Sequence, residues 1–170
     1  MLPGLAQLEN TPEILRLLLD GLTGEEANWK PAPDRWSIAE VIEHLSHVEG
    51  HGFRSRMDQM VESTLPEMLE YDQEAFAAKG QYSGRDIEDS FDHWEDQRDA
   101  NIQFLRGLDE AAVIARQGKH ERLGIITVGD LLNEWAFHDM GHIRQILELL
   151  RSHRYYPNMG RFQSIYRPAP

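Results

Sequence analysis

Two histidines stand four residues apart in the segment His138-Asp-Met-Gly-His142. On an α-helix this spacing puts both imidazoles on one face, about 6 Å apart along the axis, so they can reach one metal ion. Trp135 and Ile146 lie near the same face, which predicts that the two rings point inward. Because burying polar rings without partners is unfavourable, a metal ion is a suitable partner for them. The alternative is two ordinary histidines, one buried and hydrogen-bonded and one exposed.

A second segment supplies further nitrogen donors at His44, His47 and His51. His44 continues the apolar face of Val41 and Val48, and His47 follows three residues later. His51 lies seven residues beyond His44, a rise of about 10.5 Å, so these two cannot share one ion. The residue types alone leave the choice between His44 and His47 open.

A centre with three histidine ligands leaves coordination positions open, which is typical of catalytic rather than structural sites. The absence of cysteine restricts the donors to nitrogen and oxygen. No glutamate follows His138 as in His-Glu-x-x-His, so a zincin protease is not indicated. Gln145 is placed to line a cavity or to hydrogen-bond a bound ligand, and Asp139 and Glu134 are placed to orient the imidazoles. For each of these three, the alternative is an ordinary exposed helix residue, which is the more common case.

Two of the four predicted helices carry these histidines. Ser37 followed by Glu40 forms a capping box, which predicts the start of the second helix, although two glycines weaken its second half. Thr127 with Asp130 predicts the start of the fourth helix, which we expect to end near His153.

The other two helices are predicted to complete the core. Thr11 as N-cap and Pro12 at the first helical position predict the start of the first helix. The third is expected over residues 86–105, with an acidic outer face that we interpret as solvated. A short helix is expected near residues 69–76, and residues 108–126 are expected to form a mixed connection between the third and fourth helices.

Composition narrows the classes of partner. The formal net charge of −12 repels phosphate backbones and anionic membranes, so neither nucleic acid nor a membrane is an expected partner. The first ten residues lack lysine, arginine and a long apolar run, so they do not resemble a signal peptide. No disulfide can form without cysteine. We therefore expect a cytoplasmic protein with one domain over residues 1–153 and a C-terminal tail over residues 154–170.

Four motifs in sequence order resemble the DinB-like proteins, a family distinct from the DNA polymerase that shares the name. The resemblance spans about residues 5–152. The motifs are Trp29-Lys-Pro-Ala-Pro-Asp-Arg-Trp36 continuing to His44-Leu, Arg98 with Phe104-Leu-Arg106, Arg116-Gln-Gly-Lys-His120 leading to Gly124 and Thr127, and His138-Asp-x-x-His142-x-x-Gln145-Ile.

The resemblance implies an all-α, antiparallel four-helix bundle that binds a divalent metal ion through His44, His138 and His142. It thus favours His44 over His47, while His120 matches a recurrent position that is not a ligand. Nitrogen ligands do not distinguish zinc, nickel or iron. A homodimer is frequent in such proteins and is expected here.

The same resemblance implies a metal-dependent enzyme, because characterised members are thiol transferases or isomerases. Our leading hypothesis is an S-transferase that joins a low-molecular-weight thiol to a small electrophile. Two alternatives are a metal-dependent hydrolase and a metal-binding stress-response or dimerisation module without catalysis. A catalytic site requires an open coordination position beside an accessible cleft, whereas a structural module requires a fourth protein ligand and no cavity.

Overall fold

The computed structural model describes residues 1–68 and 86–169 of the chain. The helices are α1 (Leu5–Leu19), α2 (Gly24–Asn28), α3 (Ile38–Val48), α4 (Ser55–Glu62), α5 (Ile87–Arg106), α6 (Glu110–Val113) and α7 (Val128–Leu150). The strands are β1 (Glu67–Met68), β2 (Gln117–His120) and β3 (Gly124–Thr127). Further helical turns occupy Glu49–Arg54, Arg151–Tyr155, Tyr156–Asn158 and Gly160–Ser164. The short helix expected near residues 69–76 lies outside the described residues.

The predicted four-helix bundle is confirmed. Helix α1 packs against α5 and α7, and α3 packs against the same two helices. Helix α4 continues α3 through the π-helical segment Glu49–Arg54, so the three segments together form one of the four long helices of the bundle. Within residues 1–68 and 86–169, no helix combines the length and the apolar character needed to cross a membrane.

The connection between α5 and α7 contains more regular structure than the sequence indicated. Strands β2 and β3 pair antiparallel as a hairpin, and the two-residue strand β1 joins β2 in parallel. His120, which matched a recurrent position of the resembled family, closes this hairpin. Its Nδ1 accepts from the backbone N–H groups of Arg122 and Leu123, at 3.2 and 3.4 Å.

The predicted start of the first helix at Thr11 is wrong, because α1 begins at Leu5 and Pro12 lies inside it. An interior proline lacks the N–H that would bond to the carbonyl four residues earlier, here that of Leu8. The Leu8 carbonyl instead accepts from Nη1 of Arg98 on α5, at 3.1 Å. A partner 90 residues away in sequence therefore satisfies the orphaned acceptor, and local capping rules do not reveal it.

The capping boxes predicted for the second and fourth helices are confirmed. The Ser37 hydroxyl accepts from the backbone N–H of Glu40, and the Glu40 carboxylate accepts from that of Ser37. Thr127 and Asp130 make the same reciprocal pair at the start of α7. These local contacts fix where the two histidine-bearing helices begin.

We expect Thr127→Ala to lower the free energy of unfolding by about 1 kcal/mol, the typical cost of removing an N-cap side chain. Urea denaturation followed by circular dichroism measures the loss. The exposed Thr64 offers a matched control, because Thr64→Ala should change stability by less than about 0.5 kcal/mol. Equal stabilities for the two variants would contradict a capping role for Thr127.

A polar layer divides the core into two apolar clusters. One cluster contains Leu8 and Trp135, and the other contains Leu15 and Ile146. Along α5, the buried Arg98 lies between residues of the two clusters. Buried polar residues lie between the clusters on the other long helices too: Thr11 on α1, Ser46 on α3 and Asp139 on α7. His138 and His142 lie in this layer on α7, between Trp135 of one cluster and Ile143 of the other, and His44 adjoins it on α3.

Candidate metal centre

Three imidazoles from two helices converge at the edge of this polar layer. Nε2 of His138 lies 3.1 Å from Nε2 of His44 and 3.2 Å from Nε2 of His142. The three donor atoms all lie within 4.8 Å of one another. His44 is fully buried and the other two are half-buried. The structure therefore brings together the three residues that the sequence and the resemblance selected.

The separations of Nε2 of His138 from the other two Nε2 atoms suit ligands of one ion. Metal–nitrogen bonds of about 2.0–2.1 Å place two ligand nitrogens about 3.4 Å apart at tetrahedral angles and about 2.9 Å apart at right angles. Both close separations fall inside that interval. Direct hydrogen bonding explains the cluster less well, because a proton on Nε2 of His138 can serve only one of its two contacts.

Burial keeps the three rings uncharged at neutral pH, which is the form that binds metal. Burial first, and then the nearby His142 and His138, lower the pKa of His44 from 6.5 to about 2. Burial, followed by His142 and the positive charge of Arg98, lowers the pKa of His138 to about 3. Burial also lowers the pKa of His142, although its contacts with Gln145 and Asp139 oppose that shift.

Gln145 contacts one of the imidazoles. Its Oε1 lies 2.9 Å from Nδ1 of His142, so the amide oxygen can accept the proton of that nitrogen and leave the Nε2 lone pair for a metal. Nδ1 of His138 is buried and has no hydrogen-bond partner among the residues that the structure describes. The Trp36 ring lies beside the imidazole cluster, with its centroid 4.9 Å from that of His44 and 6.4 Å from that of His142.

We expect Gln145→Leu to weaken metal affinity by about 10- to 100-fold, the usual effect of losing an outer hydrogen-bond partner of a histidine ligand. Competition with a chromophoric chelator measures the affinity. Gln145→Glu is the matched control, since it keeps an acceptor for the imidazole proton. Equal affinities for the wild type and the leucine variant would show that Gln145 does not orient His142.

The other residues that the sequence analysis singled out lie outside the three-histidine cluster. His47 is not part of the cluster, and its ring stacks on that of His51 with centroids 4.5 Å apart. Asp139 was expected to orient an imidazole, but both of its carboxylate oxygens accept from Arg98. Glu134 is exposed and lines the cavity described below.

Arg98 is the centre of a buried ion network that the sequence analysis missed. Its side chain is 1% exposed and donates to Glu49 at 2.7 and 2.8 Å and to Asp139 at 2.7 and 3.1 Å. Asn101 and Trp135 donate further hydrogen bonds to Glu49. Burial lowers the pKa of Arg98, but the two carboxylates outweigh burial and raise it above its ordinary value.

A signal for this network exists in the sequence. Each of the three charges sits four residues after a buried apolar residue of its own helix or helical turn, so helical periodicity places it on an inward face. The preceding apolar residues are Leu45 for Glu49, Trp94 for Arg98 and Trp135 for Asp139. Opposite charges on the inward faces of separate segments would have predicted a buried ion pair.

The charge of this network favours a cation nearby. One guanidinium faces two carboxylates, which leaves one excess negative charge in a buried region. Asp139 follows His138 directly and interacts electrostatically with His142. Since buried charge is unfavourable unless it is compensated, a divalent ion among the imidazoles suits this environment. The donor set and the local charge therefore both fit a bound divalent metal.

An open cavity of about 730 Å³ adjoins two of the three imidazoles. His138, His142 and Gln145 contribute to its wall, together with Phe137. Two acidic and four basic residues complete the charged part of the lining: Glu134, Glu148, Arg35, Arg144, Arg151 and Arg167. A small molecule that enters this cavity can therefore approach the histidine cluster.

The fold and the donor set define a class: a four-helix bundle with a three-histidine cluster suited to a divalent metal ion. Within that class the chain belongs to the DinB superfamily, whose profile matches residues 7–146. A relative from Oceanobacillus iheyensis, named as a candidate metal-dependent hydrolase, is 24% identical over 147 residues, covering 85% of this chain and 83% of its own.

The solved structure of YfiT from Bacillus subtilis has a similar fold. It is described as a probable metal-dependent hydrolase with an unusual four-helix bundle topology. The superposition covers 88% of this chain and 85% of YfiT, with a TM-score of 0.78 and 21% sequence identity. This likeness supports the bundle architecture predicted from the sequence.

Proposed function

We propose that this protein is a metal-dependent transferase that joins a low-molecular-weight thiol to a small electrophile. His44, His138 and His142 hold the ion in this proposal. The observation that carries it is the convergence of three uncharged nitrogen donors beside an open cavity. Three protein ligands leave a coordination position for a small molecule, whereas structural zinc sites tend to close with four.

The chemistry divides between the ion and the chain. A divalent ion held there supplies Lewis acidity, which lowers the pKa of a thiol or water that ligates it. The chain keeps its imidazoles uncharged by burial, and Gln145 holds the ring of His142 in one orientation. The Trp36 ring lies against that of His44, with centroids 4.9 Å apart, and the cavity beside His138 and His142 leaves room for the electrophile.

Metal-dependent hydrolysis is the second candidate, favoured by the position of Glu134. This carboxylate lines the cavity one helical turn before His138, so it is available as a general base for an attacking water. The names of the Oceanobacillus and Bacillus relatives point the same way. Loss of ester hydrolysis in Glu134→Gln, with metal binding retained, would favour this candidate over thiol transfer.

A thiol screen tests the leading proposal. Zinc-loaded and nickel-loaded protein is mixed with monochlorobimane and, in turn, glutathione, bacillithiol, mycothiol or coenzyme A. We expect one thiol to react faster with the loaded protein, and His142→Ala to abolish the acceleration. No acceleration with any thiol, in protein whose metal content is verified, would contradict the transferase.

Two expectations about the whole protein stay predictions. Light scattering after size-exclusion chromatography tests the homodimer, and a monomeric mass at micromolar concentration would contradict it. Fractionation of cells that express the chain tests the cytoplasmic location, and recovery of the protein outside the cytosolic fraction would contradict it.

A further inference from the structure

The wall of the histidine cavity carries a positive charge that contrasts with the rest of the chain. Four arginines and two glutamates line it, which leaves two excess positive charges. The whole protein has a formal net charge of −12. Its long-range field therefore repels anions, so an anionic ligand in this cavity needs positive charge in the cavity wall or at the metal centre beside it.

Two of these arginines form no salt bridge within the described residues. Arg151 pairs with Glu148, which also accepts from the backbone N–H of Ala169. Arg144 and Arg167, by contrast, have no carboxylate partner within residues 1–68 and 86–169. Both side chains are exposed and both line the cavity. A guanidinium presents several donors in a fork that matches a carboxylate or a phosphate.

The C-terminal tail places Arg167 on the cavity wall. The Ala169 N–H donates to Glu148 on α7 at 2.7 Å, two residues beyond Arg167. Nearer the start of the tail, Nε2 of Gln163 donates to the carbonyls of Tyr156 and Pro157 at 2.8 and 3.1 Å. The segment expected to be a C-terminal tail thus contributes to the cavity wall. Arg144 lies two residues after His142 on α7, so the two arginines bring the tail and the site together.

We propose that Arg144 and Arg167 form an anion-binding subsite that selects ligands with a carboxylate or phosphate group for the histidine centre. The ligand's anionic end contacts the arginines while its reactive end faces His138 and His142. This inference rests on the proposed function only for the chemical identity of the ligand's reactive end. The binding of an anionic group by the two arginines does not depend on it. The subsite would let the cavity discriminate between anionic and neutral ligands, which the uncharged imidazoles alone would not do.

The test compares two thiols of similar shape. Isothermal titration calorimetry on zinc-loaded protein measures the affinities of 3-mercaptopropionate and its neutral analogue 3-mercaptopropionamide. We expect the acid to bind about tenfold more tightly, as hydrogen bonds between charged groups allow. Arg144→Gln and Arg167→Gln should each reduce this ratio, and the double variant should bring it close to one.

Arg161→Gln is the matched control, because it removes one positive charge from the exposed tail without changing the cavity lining. It should keep the wild-type ratio. All replaced side chains are exposed, so thermal unfolding should be unchanged and should verify that the variants fold. Equal affinities for acid and amide, or a ratio that survives the double variant, would overturn the subsite.

The same titrations separate this inference from the proposed function. Binding of both thiols with no charge preference supports thiol ligation and overturns the subsite. If neither thiol binds, succinate and inorganic phosphate are titrated into the metal-free wild type and double variant. Arginine-dependent binding of either anion then supports the subsite while the thiol function fails, and the tighter anion shows whether carboxylate or phosphate is preferred. No binding of any anion overturns the subsite.

Discussion

His142→Ala is expected to lower metal affinity by at least ~100-fold, because it removes one of three donors whose nitrogens converge on one point. Losing even an outer partner of a histidine ligand costs about 10- to 100-fold, so losing the ligand itself should cost more. Competition with a chromophoric chelator measures the change. His44→Ala should give a similar loss, since Nε2 of His44 lies 3.1 Å from that of His138.

The neighbouring histidine pair provides the control for this result. His51→Ala removes an exposed imidazole from the same segment of the chain, outside the cluster. Its metal affinity should match that of the wild type. A loss equal to that of His142→Ala would indicate that the ion also needs the pair formed by His47 and His51. Retained affinity in both His44→Ala and His142→Ala would contradict the proposed ligand set.

Arg98→Ala is expected to lower the free energy of unfolding by about 3–5 kcal/mol, the range measured when one partner of a buried ion pair is removed. The variant leaves the carboxylates of Glu49 and Asp139 buried without their counter-ion. It also orphans the Leu8 carbonyl that Pro12 cannot bond. Urea denaturation measures the loss, and Arg98→Lys should lie between the alanine variant and the wild type.

Arg106→Ala is the matched control on the same helix. Arg106 pairs with Glu9 at 2.8 Å, but its side chain is 62% exposed. Exposed pairs contribute only about 0–1 kcal/mol, so this variant should be nearly as stable as the wild type. If the two arginine variants lose the same stability, burial of the Arg98 network does not govern its contribution.

Features with a local cause were predictable from the sequence. The capping boxes at Ser37 and Thr127 depend on residues three apart, and the helical spacing of His138 and His142 depends on residues four apart. Such rules act within one element, so no tertiary structure is needed to apply them. The choice of His44 over His47 needed the family resemblance, since both lie on the same helix.

Features with a tertiary cause were not predictable in the same way. Pro12 predicts a helix start because prolines favour that position, yet Arg98 from another helix satisfies the carbonyl that Pro12 orphans. The role of Asp139 depended on that same arginine. Arg167 reached the cavity only through the fold of the tail, which no periodicity of the sequence describes.

X-ray absorption spectroscopy of the zinc-loaded protein tests the proposed centre most directly. We predict a spectrum fitted by three imidazole nitrogens at about 2.0–2.1 Å, and fewer imidazoles in whatever zinc His142→Ala retains. A spectrum dominated by carboxylate or water oxygens, or one unchanged in the variant, would contradict a three-histidine metal centre in this bundle.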